Sequence, residues 1–499
     1  MEFLTIDVYG LILNELSDKE KLRLLTSSKG IMNNLEKNVY FIEPIIIKNI
    51  LKSQFFHCFT NIIVGEYLYY TSFDNIGTHS QPLTLPKNIR TLTLSEEYNQ
   101  SIDGCIPNTV TKLITGRCFD QPINYLPSSI THLVFKQSYN QTIRYLPPLL
   151  TNLTLGYYFN EKIDNLPSSI TNLKLDNNFN QNIDNFPQSL IKLKLGHCFN
   201  KPINNLPPSV THLTIGNNFD QSIKNLPSIT HLVIGHGRQY MFGNDVFFYN
   251  FKISEVPTSV THLILDGRQN KLVDIKISPF IEFLVLGGFY NYPLDDKIPN
   301  SVKYLILGDK FNYPIQSGIP SSVTHLRLGN EFNQKLKGTE LPHVTHLRFG
   351  NKFNKSIREV DLSNVVHLSF GKNFSQSLNG IILPKVKYLQ LKGKFCGTLN
   401  KKIIPCATHI IFNGDFIYKL NELPPTVTHV EFKYYNGPLV DCPETVTHIN
   451  INGYISNTDL DALRLVYPTI NISCDLFNKI KKYSRFNWKR YFYESRQYF

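Results

Sequence analysis

The sequence repeats one short phrase from about residue 85 to residue 453, and this repetition constrains the fold more than any other feature. Pro127 begins the phrase Pro-Ser-Ser-Ile-Thr-His-Leu, and Pro167 and Pro207 begin closely similar phrases. Six such prolines recur at one constant interval: Pro127, Pro147, Pro167, Pro187, Pro207 and Pro227. A fixed and short period of this kind predicts a chain of stacked coils, because no single unit can bury its apolar residues alone.

The unit that begins at Pro147 shows how each coil is expected to fold. Leu150, Leu153 and Leu155 lie on one side of a short strand, and Phe159 returns the chain to the interior. So short a unit leaves little room for a helix, and its proline disfavours helix in the residue before it. We therefore expect parallel strands on a concave face and irregular chain on a convex face.

The same pattern can be followed along most of the chain. The apolar residue that opens each strand recurs through about 18 turns from Ile89 to Val446, and the segment 59–65 fits the phrase as a degenerate earlier turn. An aromatic residue follows most strands, as at Phe159 and Phe199, and Asn usually follows the aromatic residue. We expect the aromatic residues to stack in a buried row and the Asn side chains to bond backbone groups of the turn.

One stretch of the repeat resembles a known family. Residues Phe199 to Leu213 read Phe-Asn-Lys-Pro-Ile-Asn-Asn-Leu-Pro-Pro-Ser-Val-Thr-His-Leu, and variants of this string recur over most of the chain. The string resembles the FNIP repeat, a family that is similar to leucine-rich-repeat solenoids and is best known from social amoebae and from giant viruses of amoebae. The resemblance implies a leucine-rich-repeat-like solenoid with an extended binding surface.

The amino-terminal segment, residues 1–40, lacks the repeat and instead shows helical spacing. Four apolar residues predict an amphipathic helix over about residues 7–16: Val8, Leu11, Ile12 and Leu16. Ser17 lies three positions before Glu20, which is the spacing of a capping box at the start of a second helix. This order resembles an F-box, but Thr5 stands where that family has Pro, and no Trp follows Lys29.

The F-box resemblance implies a partner for this module. An F-box places an apolar face on the adaptor subunit of a cullin-type (SCF) ubiquitin ligase. The positions that match the family are Leu4, Ile6, Val8, Leu11, Ile12, Leu16, Leu24 and Leu25. Some of these residues would form the core of the module itself, and the sequence does not separate the two groups. The alternative is a helical cap that covers the first turn of the solenoid.

Histidine is placed systematically in the repeat. Ten of the 15 His residues directly precede the first Leu of the strand phrase, in a column expected on the concave face: His132, His212, His231, His262, His325, His346, His367, His409, His429 and His448. Three interpretations remain open: a solvated polar ladder, a contact surface for a partner, and a metal site. The metal site is the least favoured, because no Cys or paired carboxylate would complete its ligand shell.

An apolar and aromatic patch beside two arginines is the candidate surface for a target protein. Consecutive turns place apolar residues and then arginine between the two Leu positions, and they place aromatic rings in the His column. Aromatic residues and arginine are the usual anchors of protein interfaces. We therefore predict these target-binding residues: His262, Ile264, Phe283, Val285, Tyr304, Ile306, Arg327 and Arg348.

Segments outside the regular repeat carry further possibilities. The insertion between Pro227 and Pro257 is rich in aromatic residues, which could form a binding loop or fill a distorted turn. Residues 457–465 read as a capped helix, and Ile470 and Ile472 read as a last strand. The C-terminal tail interleaves basic and aromatic residues, a composition found both in solenoid caps and in nucleic-acid binders; we favour the cap.

Composition and motifs restrict the functional class. The chain has 499 residues, a net charge of +12 and 8 Cys without a Cys-x-x-Cys pair, which favours a reduced, cytoplasmic protein. It lacks the basic start of a signal peptide and any apolar run long enough to span a membrane, so we expect no membrane association. The charge is moderate, and no P-loop, G-x-S-x-G or H-E-x-x-H motif occurs. We predict no nucleic-acid partner, no cofactor, no metal and no enzymatic activity.

Together these features predict an α+β protein with a solenoid of about 18 to 19 turns. Its predicted regions are an F-box-like helical module (1–40), a linker with a degenerate first repeat or cap (41–84), the repeat solenoid (85–453) and a cap helix with a basic and aromatic tail (454–499). The resemblances imply a substrate-recruiting subunit of a cullin-type ubiquitin ligase, located in the cytoplasm, or in the host cytoplasm if the protein is viral. The alternative is a protein-binding scaffold without a link to a ligase.

Overall fold

The structure of the chain is a computed structural model, in which the chain divides into two compact units, residues 1–221 and residues 222–498. It describes residues 17–21, 41–42, 44–46, 59–64, 85, 87–224, 226, 228–236, 256–266, 277–294, 297–316, 318–393, 398–413, 420–433, 442–451, 465 and 469–474. Nearly all regular structure in these residues consists of short strands.

The first unit contains a series of strands in which each pairs in parallel with the next one along the chain. They are β1 (Ile45–Ile46), β2 (Asn61–Val64), β3 (Thr91–Leu94), β4 (Lys112–Ile114), β5 (His132–Val134), β6 (Asn152–Leu155), β7 (Asn172–Leu175), β8 (Lys192–Leu195) and β9 (His212–Gly216). The register aligns equivalent positions of the phrase, as when Leu153 lies opposite Leu173.

The second unit has the same parallel, sequential pairing. Its strands are β10 (His231–His236), β11 (His262–Leu265), β12 (Phe283–Leu286), β13 (Tyr304–Leu307), β14 (His325–Arg327), β15 (His346–Arg348), β16 (His367–Phe370), β17 (Tyr388–Leu391), β18 (His409–Phe412), β19 (His429–Phe432), β20 (His448–Ile451) and β21 (Asn471–Cys474). Histidine and tyrosine positions again align, so that His325 lies opposite His346.

The repeated phrase determines both the turn and the strand of each coil. The backbone N–H of Leu150 donates to the carbonyl oxygen of Pro147 at 3.1 Å, which closes a β-turn at the start of the phrase. In the strand that follows, Leu153 and Leu155 are buried, and Asn152 and Thr154 are half-buried. Burial of each leucine contributes about 1.5–3 kcal/mol, so the stacked leucines stabilise the coils jointly.

A row of stacked aromatic rings fills the interior behind the strands, as predicted. In the first unit the ring centroids of Phe159 and Phe179 are 6.1 Å apart, and so are those of Phe179 and Phe199. In the second unit Phe311 and Phe332 stack at the same distance. These side chains are fully or almost fully buried, so each ring packs on the equivalent ring of the neighbouring coil.

The asparagine after each aromatic residue bonds the next coil, which also confirms the prediction. Asn180 Oδ1 accepts the backbone N–H of Asn200 at 2.9 Å, while the N–H of Asn180 donates to Asn160 Oδ1 at 2.9 Å. In the second unit the N–H of Asn354 donates to Asn333 Oδ1 at 2.9 Å. One side-chain oxygen per coil therefore satisfies a backbone donor that would otherwise lie outside the strand ladder.

Glycine ends several strands because the backbones of neighbouring coils approach too closely for a side chain. A Cβ atom placed on Gly350 would lie 1.8 Å from the carbonyl oxygen of Gly329, and one on Gly371 would lie 1.9 Å from that of Gly350. Both distances are far below van der Waals contact, so any side chain at these positions requires backbone movement.

The predicted α+β class is wrong: the described residues form an almost entirely β-stranded parallel solenoid. Among the described residues, helix occurs over residues 18–21, at residue 465 and in a 3-10 turn at Leu420–Glu422. The described strands number 21; they are the 19 strands β2 to β20 at the positions of the predicted turns, the separately predicted last strand β21, and β1. The helical part of the prediction depended on the segments 1–40 and 457–465, almost all of which lie outside the described residues.

Three details at the ends of the chain can be compared with the sequence. The predicted degenerate turn is present as β2, and the predicted last strand is present as β21. Strand β1 was not predicted, because Ile45–Ile46 has no trace of the repeated phrase. The capping box exists: the N–H of Ser17 donates to Glu20 Oε2 at 2.9 Å.

Candidate functional site on the strand face of the second unit

Eleven rings stack in one column on the strand face of the second unit. The ring column consists of His231, His262, Phe283, Tyr304, His325, His346, His367, Tyr388, His409, His429 and His448. Neighbouring ring centroids are 4.1 to 6.1 Å apart. The spacing of parallel strands, about 4.8 Å, places each ring against the next.

A threonine fixes the orientation of most of these imidazoles. Thr345 Oγ1 lies 2.9 Å from His346 Nδ1 and 3.2 Å from the carbonyl oxygen of Thr324, which also accepts the backbone N–H groups of Thr345 and His346. The hydroxyl donates to Nδ1 or accepts from it according to the tautomer of the ring, and in both cases the contact holds the ring in place. The same pair of contacts occurs at His132, His262, His325, His409, His429 and His448.

Burial keeps the middle of the ring column neutral. It lowers the pKa of His346 to about 3, and the neighbouring His325 and His367 lower that pKa further. Burial first and then a nearby imidazole lower the pKa values of His325, His367 and His409 to about 4. The rings stack on one another, so protonation of one ring places a positive charge against its neighbour.

A second column runs beside the ring column and begins with an apolar cluster. Val285 and Ile306 lie opposite each other in register, and together with Phe283 they form a buried group with exposures of only 1–3%. Ile264 and Tyr304 pack against this group and are partly buried. The apolar part of the predicted target-binding patch is thus packed within the chain, and its accessible edge is formed by the partly buried residues.

Two arginines continue the second column on the next two strands. Arg327 of β14 lies opposite Arg348 of β15, and both are half-buried. Burial lowers the pKa of Arg348 to about 10, and the positive charge of Arg327 adds to that shift. Burial also lowers the pKa of Arg327, which Asp309 partly offsets. Both guanidinium groups remain charged at neutral pH, so two positive charges lie side by side on this face.

Neutral polar residues follow the arginine pair. Ser369 lies opposite Arg348 on the next strand, and Ser369 Oγ donates to Gln390 Oε1 at 2.9 Å. The arginine pair is therefore bounded along the column by the apolar cluster on one side and by a hydrogen-bonded Ser–Gln pair on the other.

The structure brings all eight predicted target-binding residues together. They occupy five consecutive strands, β11 to β15, in the two adjacent columns. The eight residues that the F-box resemblance assigned to adaptor binding lie outside the described residues, as does most of the aromatic insertion between Pro227 and Pro257. Sequence reasoning missed the threonines that orient the imidazoles, although the recurring Thr-His pair was visible in the phrase.

Two properties hold for the part of the chain that the structure describes. Within it, no group of three or more His, Cys, Asp or Glu side chains is arranged to hold a metal ion. Within the same residues, no helix combines the length and the apolar character needed to cross a membrane.

Two solved structures are similar to this chain over most of its length. One is described as "The crystal structure of CroV588 a novel circular LRR protein structure"; it is 26% identical, with a TM-score of 0.41, over 85% of this chain and 83% of that chain. Another is described as "The Crystal structure of Pneumococcal vaccine antigen PcpA"; it is 11% identical, with a TM-score of 0.20, over 85% of this chain and 86% of that chain.

Comparison with family models gives the more specific result. No curated protein matches the chain. The model described as "FNIP Repeat" matches seven segments: 79–118, 119–158, 159–198, 199–237, 270–310, 290–331 and 311–352. These segments contain the turn, the strand, the stacked aromatic residue and the asparagine that bonds the next coil, as described above. The chain therefore carries FNIP repeats.

Proposed function

We propose that the chain recruits a target protein to a cullin-type ubiquitin ligase. In this proposal the strand face of the second unit binds the target, and the amino-terminal segment 1–40 binds the ligase adaptor. A repeat solenoid is an architecture suited to protein binding, because each coil adds side chains to one continuous face. The observation that carries the target half is the alignment of the two side-chain columns on that face.

The adaptor half depends on the sequence of the amino-terminal segment. The F-box-like order of apolar residues is followed by a capping box, in which Ser17 Oγ donates to Glu20 Oε2 at 2.6 Å and accepts the N–H of Glu20 at 3.4 Å. A capping box marks a helix start at the position where the second helix of the module is expected.

A pull-down with the purified adaptor tests the ligase link. Full-length protein is compared with a variant that lacks the segment 1–40, and thermal melting of both proteins checks that the repeats remain folded. The proposal requires recovery of the adaptor by the full-length protein and its loss with the shortened variant. Equal recovery by both proteins, or by neither, would remove the ligase and leave the alternative, a protein-binding scaffold without that partner.

A further inference from the structure

The strand face of the second unit carries very few charges. Among the described residues of the ring column and the second column, the Arg, Lys, Asp and Glu residues are Arg327, Arg348 and Glu431. The imidazoles of the ring column whose pKa values are lowered are neutral at pH 7 and add no charge. Glu431 lies on β19, four strands beyond β15. At about 4.8 Å per strand this distance is roughly 19 Å, well beyond a Debye length at physiological salt.

The arginine pair is costly to the isolated chain. The two side chains lie on neighbouring strands and are half-buried, so their charges are both desolvated and mutually repelling. Asp309 offsets part of this cost at Arg327, whereas Ser369 and Gln390, which hydrogen-bond to each other beside Arg348, bring no negative charge. A bound anion would reduce both costs, because each guanidinium can form two parallel hydrogen bonds to one carboxylate.

The neighbouring imidazoles bring no positive charge to the site at pH 7, because burial holds the pKa values of His325 and His346 well below the usual value. The guanidinium groups are therefore the cationic donors on this part of the face. A ligand at this point needs anionic oxygens for the arginines.

We propose that Arg327 and Arg348 bind two carboxylates on one acidic helical segment of the target protein. Side chains three or four positions apart on a helix are about 5–6 Å apart, close to the strand spacing of about 4.8 Å, so each carboxylate can meet one guanidinium. Tyr304, half-buried beside the apolar cluster, lies at the edge where an adjacent apolar residue of the helix would pack. This inference rests on the proposed function and specifies the partner chemistry of its target-binding half.

Direct binding of a designed peptide tests the proposal with the full-length protein. The probe is a fluorescein-labelled, alanine-rich helical peptide of about 16 residues with Glu pairs four positions apart. Its counterparts carry Gln or phosphoserine in place of Glu. Fluorescence anisotropy is measured at about 50 mM salt, where surface charge attraction is not fully screened.

The expected result is specific for charge and for position. The Glu peptide should bind at least about 10-fold more tightly than the Gln peptide, and Arg348→Gln or Arg327→Gln should each weaken its binding by about 10-fold. Lys335→Gln removes one exposed positive charge of the same unit outside the two columns and should change binding by less than about 2-fold. Thermal melting confirms that each variant is folded.

Several outcomes would overturn the proposal. They are equal binding of the Glu and Gln peptides, an equal effect of Lys335→Gln and Arg348→Gln, and dependence on the arginines for the phosphoserine peptide alone, which would assign the site to phosphate. The arginine variants are also taken through the adaptor pull-down, where they should behave like wild type. Peptide failure with normal adaptor recovery rejects only this inference, whereas adaptor failure with normal peptide binding rejects only the ligase link.

Discussion

The imidazole rings of His325 and His346 stack with their centroids 4.1 Å apart, and each ring shares a hydrogen bond through Nδ1 with the threonine that precedes it. Two rings in this arrangement can both be neutral, but two imidazolium ions at this distance repel each other. The strand register that aligns the repeats thus makes the stability of the second unit depend on proton uptake.

We predict that the protein loses stability as the pH falls from about 6.5 to 5. His325, His367 and His409 have pKa values of about 4 in the folded protein and His346 about 3, against 6.5 for an unperturbed histidine. The unfolded chain therefore binds more protons in this range. The contribution of these imidazoles to the free energy of unfolding is fully present above the unfolded pKa and is lost as the pH falls toward the folded pKa values. The loss is at most about 1.4 kcal/mol per pH unit for each imidazole, and it is smaller where solvent screens the charge.

Urea denaturation at a series of pH values measures this effect. His346→Gln should flatten the pH dependence, whereas His343→Gln, which changes an exposed histidine outside the ring column, should leave it unchanged. Hydrogen bonds from Ser363 lower the pKa of Asp361, so this carboxylate loses its contribution to stability only at lower pH and does not obscure the effect of the histidines. A midpoint that stays constant between pH 7 and pH 5 would contradict the prediction.

Substitution of Gly350, which lies just after β15, should strongly destabilise the second unit. The Cβ of Gly350→Ala would lie 1.8 Å from the backbone oxygen of Gly329, so the two coils must separate, at a cost of about 3 kcal/mol. Gly288→Ala is the matched control, because its Cβ would meet nothing within 4 Å and should be neutral or stabilising by less than about 1 kcal/mol. Equal urea midpoints for the two variants would show that the coils separate freely.

Removal of one buried hydroxyl should stabilise the first unit. Tyr139 takes a position in the aromatic row, 6.2 Å from Phe159 between ring centroids, and its hydroxyl has no hydrogen-bond partner among the described residues. Burial raises the pKa of Tyr139. Tyr139→Phe should raise the free energy of unfolding by about 1 kcal/mol, and the reverse change Phe159→Tyr should lower it by about 1–3 kcal/mol. A less stable Tyr139→Phe protein would reveal a partner for the hydroxyl.

Each asparagine that accepts a backbone N–H of the next coil, such as Asn160 or Asn180, should depend on its side-chain shape more than on its charge. Asn180→Ala leaves the backbone N–H of Asn200 without its acceptor and should cost about 1 kcal/mol. Asn180→Asp keeps the acceptor and should cost less than about 0.5 kcal/mol, since aspartate already fills the equivalent place at Asp120, where Oδ1 accepts the N–H of Asn140. Thermal melting of the two variants compares them directly. An Asp variant as unstable as the Ala variant would show that the amide group itself is needed.

The repeat made the interior of this protein predictable. The alternation around Leu153, the stacking of Phe159 and the hydrogen bonds of Asn160 follow from period and residue type, because each depends on contact with the same position of the next coil. The residues that make these contacts recur in most coils, so the sequence alone predicts them. Strand β1 could not be predicted in this way, because Ile45–Ile46 lies outside the repeated phrase.

The candidate site was only partly predictable. The positions of Arg327 and Arg348 side by side follow from the register of the repeat. The burial of Val285 and Ile306 does not follow from it, because the same columns elsewhere hold half-buried polar residues such as Ser369. The hydrogen bond between Thr345 Oγ1 and His346 Nδ1 depends on a side-chain distance, which a sequence pattern does not contain.

Coil length varies while the strand register does not. Thr261 donates to the carbonyl of Thr230 across a separation of 31 residues, and Thr447 donates to that of Thr428 across only 19. Extra residues are thus accommodated between strands without displacing the rings of His262 or His448 from their column. Insertion or deletion during evolution can therefore remodel one side of such a protein while the chemistry presented by its strands is inherited unchanged, and an engineer could graft a new loop between two strands on the same grounds.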